Sequence, residues 1–438
     1  MDRPTIRSRI APALRSFRTR DFRIWAAGAA VSNIGSWMQR TAQDWLVLTQ
    51  LTDHEAAALG TVIALQFAPE ILLLPVSGIA ADRWDKRRIL LGTQTVMALA
   101  ALTVGVLAVS GRLDLWHVYV AAVVLGCASA FDAPARMSFV SSLVGRDDVS
   151  NAVALNSALF NAARFVGPAI AGVVVDLVDI GSVFLINSVT FAAMLAALVR
   201  LPSPPRHPRS RAAPADRTAR GWLPAAEHVV HARSAIVMVF AVVFVVGTFG
   251  LNFPIFLSTM SLSVFRGGAT QYGLFSSALA LGSILGAVLA ARARRPYVSL
   301  LLTATVLFAA GCSAAATAPG WVWFAATLVL TGVAVQLLIA TAGSFVQVHT
   351  PDRLRGRVTG LYLTAFMGGT PIGAPLAGLV ADRLGPRAAL LMGACAGALA
   401  TLIAAGWLLS HPAIATRIEV PAQTRIRTEW EQLHRRLL

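Results

Sequence analysis

The sequence predicts an all-α membrane protein: twelve transmembrane helices in two pseudo-symmetric six-helix bundles. Three observations carry that prediction. Of 438 residues, 56% are apolar and only 13% charged, with a mean hydropathy of +0.67; a soluble domain carries about a quarter charged residues. Uncharged runs recur along the chain at about the 20-residue length that spans a hydrocarbon core of roughly 30 Å. These runs do not alternate in polarity, so they fit helices and not the strands of a membrane barrel. The third observation is a repeat. Ser138-Phe139-Val140 recurs as Ser344-Phe345-Val346, and the same offset of 206 carries Gly167 to Gly373, Ala171 to Ala377, Gly172 to Gly378 and Asp176 to Asp382. A repeat of that length describes two homologous halves related by an axis along the membrane normal.

Taken in order, residues 1–22 hold six arginines, Arg3, Arg7, Arg9, Arg15, Arg18 and Arg20, ahead of a first span at 23–49. That span contains Arg40 and Asp44, four apart and therefore able to pair on one helix face. The second, 57–81, holds Glu70 about halfway along, with Gln66 one turn earlier. It ends in Ser77-Gly78-Ile79-Ala80-Ala81-Asp82-Arg83-Trp84-Asp85-Lys86-Arg87-Arg88. Spans at 89–110 and 116–142 follow, the latter carrying Asp132 and Arg136, again four apart. The fifth, 151–175, places Arg164 centrally on a stripe with Asn161 and Pro168, then continues through Gly172. A sixth at 181–200 completes a first bundle of 23–200.

Residues 201–234 are rich in proline and arginine and read as a linker, with Trp222 to Arg233 suited to a short surface helix. The second bundle, 235–410, comprises spans at 235–262, 270–291, 298–317, 320–346, 358–381 and 388–410. Their interiors hold no Asp, Glu, Lys, Arg or His. Residues 411–438 form a basic tail with Ile418, Trp430 and Leu433, suited to an interfacial helix or to a flexible extension.

Charge sets the topology. Every second loop is basic, from the amino-terminal arginines to Arg353, Arg355 and Arg357, while the loops between, such as Thr52-Asp53-His54-Glu55, are poor in cations. The positive-inside rule then puts both termini, the linker and the tail in the cytoplasm of a cell that holds the chain in its cytoplasmic membrane. Asp382-Arg383-Leu384-Gly385-Pro386-Arg387 is the exception, falling outside. The net charge of +16 is dispersed over many loops with no folded basic domain, which argues against nucleic acid as a partner. Cys127, Cys312 and Cys395 lie far apart inside spans and form neither a disulfide framework nor a metal spacing. No glycine-rich phosphate loop of the ATPase type is present, so ATP is not expected to drive the protein directly; no cofactor is expected.

The segment from Gly78 to Arg88 resembles the signature between the second and third helices of major facilitator superfamily transporters, with Asp85 standing where that family usually has glycine. Ser36-Trp37-Met38-Gln39-Arg40-Thr41-Ala42-Gln43-Asp44-Trp45 in the first span looks like the opening of the enterobactin-exporter-like, drug:proton antiporter branch. So do Ala154-Leu155-Asn156-Ser157-Ala158 and Arg164-Phe165-Val166-Gly167-Pro168-Ala169-Ile170-Ala171-Gly172, with the likeness covering roughly 14–410. The resemblance implies the major facilitator fold, a monomer, and a proton gradient as energy source for export of a siderophore, drug or related amphipathic small molecule. Lipids and protons are its other expected partners. Import by proton symport is an alternative, because the same fold and carboxylates serve either direction. A non-transporting receptor would not need a coupling carboxylate, and an enzyme would need a nucleophile, metal or acid–base cluster that the sequence does not present.

Charges inside a membrane are costly, about 2.5–3.5 kcal/mol on insertion scales, and so are functional candidates. The proton-coupling candidates are Glu70 first, then Asp132 and Asp44, with Arg164, Arg136 and Arg40 as charge partners. A permanent Glu70–Arg164 ion pair is the structural alternative. Gly78, Asp82, Arg83, Arg87 and Arg88 are expected to form a conformational latch, Gly78 allowing close helix approach and Asp82 facing a helix amino terminus; topology and lipid binding are the plainer role for the cations. Gly167, Pro168 and Gly172 suit a bend or a sliding contact in the fifth helix. Trp37, Met38, Phe67, Phe139 and Phe160 are candidate cavity walls.

Overall fold

A computed structural model describes residues 14–202, 233–292, 298–351 and 354–411. The arginines before residue 14, most of the 201–234 linker and its expected surface helix, Arg294, Arg295, Arg353 and nearly all of the 411–438 tail lie outside the described residues, as do the side chains of Pro75 and Asp82. The described residues are helical and contain no strand.

Twelve rods cross the molecule: α1 (Arg20–Leu46), α2 (Ala56–Arg83), α3 (Lys86–Val109), α4 (Leu115–Ser142), α5 (Val149–Leu177), α6 (Ile180–Arg200), α7 (Arg233–Val245 onward), α8 (Ala269–Arg292), α9 (Val298–Ala316), α10 (Trp321–His349), α11 (Arg355–Gly368 and Thr370–Leu384) and α12 (Pro386–Ser410). Eleven among the described residues are long and apolar enough to cross a membrane. The remaining one, α1, is 27 residues long, about 40 Å at 1.5 Å per residue. Its polar inner face, with Gln39, Arg40, Gln43 and Asp44, lowers its hydropathy. Within the halves, α1 packs on α5 and α6, α2 on α4, α3 on α4 and α6, α8 on α10, and α9 on α10 and α12. Between the halves, α2 meets α11 and α5 meets α8, while α3, α6, α9 and α12 stay outermost.

Two spans expected to be continuous are interrupted. α7 runs Arg233–Val245, widens into a π-helical turn at Val246–Gly250, breaks at Leu251 and Asn252, and resumes as Phe253–Thr259 and a second π-helical turn, Met260–Val264. Pro254 lacks an N–H donor at the restart, and Asn252 Nδ2 donates to the Thr248 carbonyl at 2.9 Å, satisfying backbone left open by the break. α11 breaks at Gly369, one residue before Thr370-Pro371. The two breaks face each other: a Cβ on Gly369 or Gly373 would collide with Thr248.

The halves are joined at one end only. At the end away from the termini, a single hydrophobic core runs from Met38, Trp45 and Leu59 in the first half to Phe256, Tyr272 and Phe308 in the second. At the terminal end the first half keeps its own core of Phe22, Trp25, Leu90, Phe139 and Met194. α2 lies against Thr370–Leu384 of α11 and barely touches Arg355–Gly368. The molecule is therefore closed at the face away from its termini and parted at the terminal face.

Candidate functional site

The parted face leads into a cavity of about 530 Å³ whose wall includes Trp37, Arg40, Gln66, Glu70, Asp132 and Phe160. Every lining residue belongs to the first half. Trp37 is its aromatic floor. Phe160 meets it edge-on at 5.7 Å between centroids, and two guanidiniums lie over the same indole, Arg40 at 5.4 Å and Arg164 at 5.5 Å. Each such contact is worth about 0.5–2 kcal/mol depending on desolvation. Phe139 and Met38, expected as walls, are core residues instead, and Phe67 packs against the core.

The six charges divide into three environments. Asp132 is saturated. Its Oδ1 accepts from Thr93 Oγ1 at 2.9 Å and Gln94 Nε2 at 2.7 Å, and its Oδ2 from Arg136 Nε at 2.9 Å. The expected i,i+4 pair with Arg136 is thus present, and Arg136 also lies over Trp25 at 5.7 Å. One donor and one acceptor in this cluster, Arg136 Nη1 and Gln94 Oε1, are buried without a partner.

Asp44 does not pair with Arg40. Its Oδ2 accepts a 2.6 Å hydrogen bond from Tyr272 Oη of α8, whose ring stacks on Trp45 at 6.0 Å. The reason is position: Asp44 lies one turn nearer the closed face, where α1 touches the second half, whereas Arg40 opens onto the cavity. Glu70, Arg40 and Arg164 form the third environment. None of them has a hydrogen bond or ion pair among the described residues, so the Glu70–Arg164 bridge is not formed.

The signature loop lies at the parted end of the molecule. A Cβ on Gly78 would meet nothing within 4 Å, so no close helix contact is made there: this end of the molecule is parted. Arg83 and Arg88 are exposed. Arg87 Nε and Nη2 each donate at 2.7 Å to the Leu198 and Val199 carbonyls, tying the loop to the end of α6 within its own half. Asp85, the departure from the family pattern, caps α3 by accepting from the Arg87 and Arg88 amides at 2.9 and 3.2 Å, which satisfies two of the four orphan donors of a helix start.

In α5, Gly167 faces Trp37 and Ile34 of α1, whereas Gly172 lies against the backbone of Ala269 and Thr270 in α8. Pro168 sits inside an unbroken helix, and its carbonyl occupies the place of a Cβ on Gly273. These residues therefore serve close contact, one within the half and two between halves. Arg387, one of the cations that broke the charge rule, donates to the Ala316 and Ala318 carbonyls at 3.2 and 3.1 Å and so closes the end of α9.

Thr93, Gln94 and Tyr272 were not singled out from the sequence. Their only signal there is a polar group inside an apolar span, which must find a partner in lipid; periodicity does not say which. Among the described residues no cluster of metal-ligating side chains is present.

The family model for transmembrane secretion effectors matches residues 11–424. The chain is 24% identical to the staphyloferrin A transporter of Staphylococcus aureus over 80% of this chain and 87% of that protein. It is 22% identical to macrolide efflux protein A of Streptococcus pyogenes over 84% and 91%, and 24% identical to the enterobactin exporter of Salmonella typhimurium over 78% and 81%. Its fold is similar to that of a bacterial homologue of the human lysosomal transporter Spinster, with a TM-score of 0.71 at 13% identity, covering 89% of this chain and 98% of that one.

Proposed function

The chain belongs to the transmembrane secretion effector family of major facilitator transporters, and we propose that it exports an amphipathic small molecule, a siderophore or drug, in exchange for protons by alternating access. The observation that carries this reading is Glu70: a carboxylate with no partner among the described residues, at the wall of a cavity that Arg40 also lines. Asp132, by contrast, is engaged by three donors. A carboxylate without a partner at a cavity wall is free to take and release a proton as the cavity changes its exposure. Asp44 is a second candidate, because protonating it changes its bond to Tyr272 and so the join between the halves.

The cavity also supports the substrate class. Trp37 and Phe160 offer flat apolar surface, Gln66 and the arginines offer donors, and a flexible ligand with both ring and polar groups fits such a wall. The relatives named for staphyloferrin A, a macrolide and enterobactin are consistent with amphipathic cargo. On the positive-inside orientation, the parted face is cytoplasmic, which suits loading from within the cell.

The test is pH-driven uptake into inverted vesicles, with a panel of siderophores and drugs, for Glu70→Gln, Asp132→Asn and the double variant. An amide keeps shape and most hydrogen bonding but does not titrate near neutrality. Glu70→Gln is expected to bring gradient-driven accumulation to background while downhill exchange persists. Undiminished accumulation in the double variant removes both residues from the coupling role and leaves Asp44 or an uncoupled carrier.

A further inference from the structure

The closed face holds a device that the cavity does not explain. Asp176, in the last turn of α5, accepts the first amides of α8: Ala269 N–H at 3.2 Å on Oδ1 and Thr270 N–H at 2.9 Å on Oδ2. Asp382, in the last turn of α11, does the same to α2, accepting Ala56 N–H at 2.7 Å on Oδ1 and Ala57 N–H at 2.9 Å on Oδ2. Each carboxylate therefore caps a helix of the opposite half with both its oxygens. The two aspartates are related by the repeat offset of 206, so one half's cap on the other is returned in kind.

The backbone beneath each cap is equally close. Gly172 and Gly378, also related by the repeat, face the backbone of Ala269 and Thr270 and of Ala56 and Ala57 respectively, with no room for a Cβ. One turn deeper, Gly273 meets the Pro168 carbonyl and Gly60 the Ala374 carbonyl. A helix start has orphan amide donors and a partial positive charge. A carboxylate there is satisfied only while the partner half is in place, and all four bonds are lost when the face opens.

From this arrangement we infer that Asp176 and Asp382 are a reciprocal pair of positioning residues that latch the face away from the termini and hold the molecule open toward its terminal face. The inference rests on the alternating-access reading above, but neither on proton coupling nor on the substrate.

The test uses the full-length chain in lipid nanodiscs without substrate or pH gradient. Spin labels on cysteines replacing Trp116 and Trp321, at the α4 and α10 ends of the closed face, report the separation of the halves, with the three native cysteines replaced. Losing a helix cap changes a two-state ratio by about fivefold, from a typical effect of ~1 kcal/mol. Asp176→Ala and Asp382→Ala are each expected to raise the population with the long separation by about that factor, and the double variant by about 25-fold if the sites add. Asp→Asn variants, keeping one acceptor, fall between, and serve if an alanine variant does not assemble. Labels on the terminal face should move the opposite way. Distance distributions of the double alanine and double asparagine variants that match the parent overturn the latch. Because no transport is measured, that result leaves the export reading standing; conversely, loss of export activity in every vesicle assay leaves the latch result intact.

Discussion

The two halves share a fold but divide the labour. In the first, α1, α2, α4 and α5 carry Arg40, Asp44, Glu70, Asp132, Arg136 and Arg164 into the membrane interior, and all the cavity's lining comes from this half. In the second, no charged side chain enters the predicted span interiors; polarity is limited to hydroxyls and amides such as Tyr272, Thr248 and Asn252, and the backbone itself is broken in α7 and α11. The comparison teaches that a duplicated fold need not duplicate its chemistry. What the halves retain in common is the contact surface: Gly172 and Gly378, Asp176 and Asp382 do the same work from opposite sides.

The largest effect that separates the halves is expected for Arg136→Ala. It leaves Asp132, 6% exposed, with an unpaired charge, and breaking one partner of a buried pair costs about 3–5 kcal/mol. Thermal unfolding in detergent should show it as a marked loss of stability or of assembled protein. The second-half counterpart is mild: Thr401 Oγ1 donates to Thr305 Oγ1 at 3.0 Å between α12 and α9, and Thr401→Val should cost only about 1 kcal/mol. Equal losses would erase the distinction between a charged and an uncharged half.

A middle-sized effect probes the two faces. Gly172→Ala and Gly378→Ala force a methyl group into opposing backbone and are expected to cost the closed face about 1–3 kcal/mol each, alike in both halves. Gly78→Ala, with open space around it, should stay within about 0.5 kcal/mol in this state. Melting temperatures of the three variants, read with labels at the closed face, check this; a Gly78 variant as damaged as the others would show that the terminal face is also packed.

The smallest expected effect concerns the hydrogen bond from Tyr272 to Asp44 across the halves. Tyr272→Phe removes the donor to Asp44 and keeps the ring on Trp45. A lost hydrogen bond to a charged group is worth about 1.5–3 kcal/mol in general, but only the part that differs between open and closed states shifts the equilibrium. The shift toward an open outer face should therefore be less than that of a glycine variant, and hydrogen exchange at the start of α8 is the measurement. Unchanged exchange would restrict Asp44 to a role within its own half.

Much of this molecule is written in local pattern. The spans follow from run length, the halves from the repeat, and the Asp132–Arg136 pair from a spacing of four, because partners one turn apart on one helix need no tertiary information. The same spacing suggested Arg40–Asp44 and was misleading, since Asp44 reaches the other half and Arg40 the cavity. The interruptions in α7 and α11 coincide with Asn252-Phe253-Pro254 and Gly368-Gly369-Thr370-Pro371; hydropathy does not register them, because an apolar run looks continuous whether or not its backbone is.

By itself the sequence determined that the chain is a twelve-helix membrane protein of two related halves with its interior charge confined to one. Hydrocarbon imposes that, through the cost of unsatisfied backbone and buried charge on any stretch of chain. Which charges are paired, which face is shut and where the aspartates of the repeat send their oxygens were decided only by the tertiary structure. Those contacts join residues 228 positions apart for Asp44 and Tyr272 and 326 apart for Ala56 and Asp382, and they exist only while the two bundles lean together.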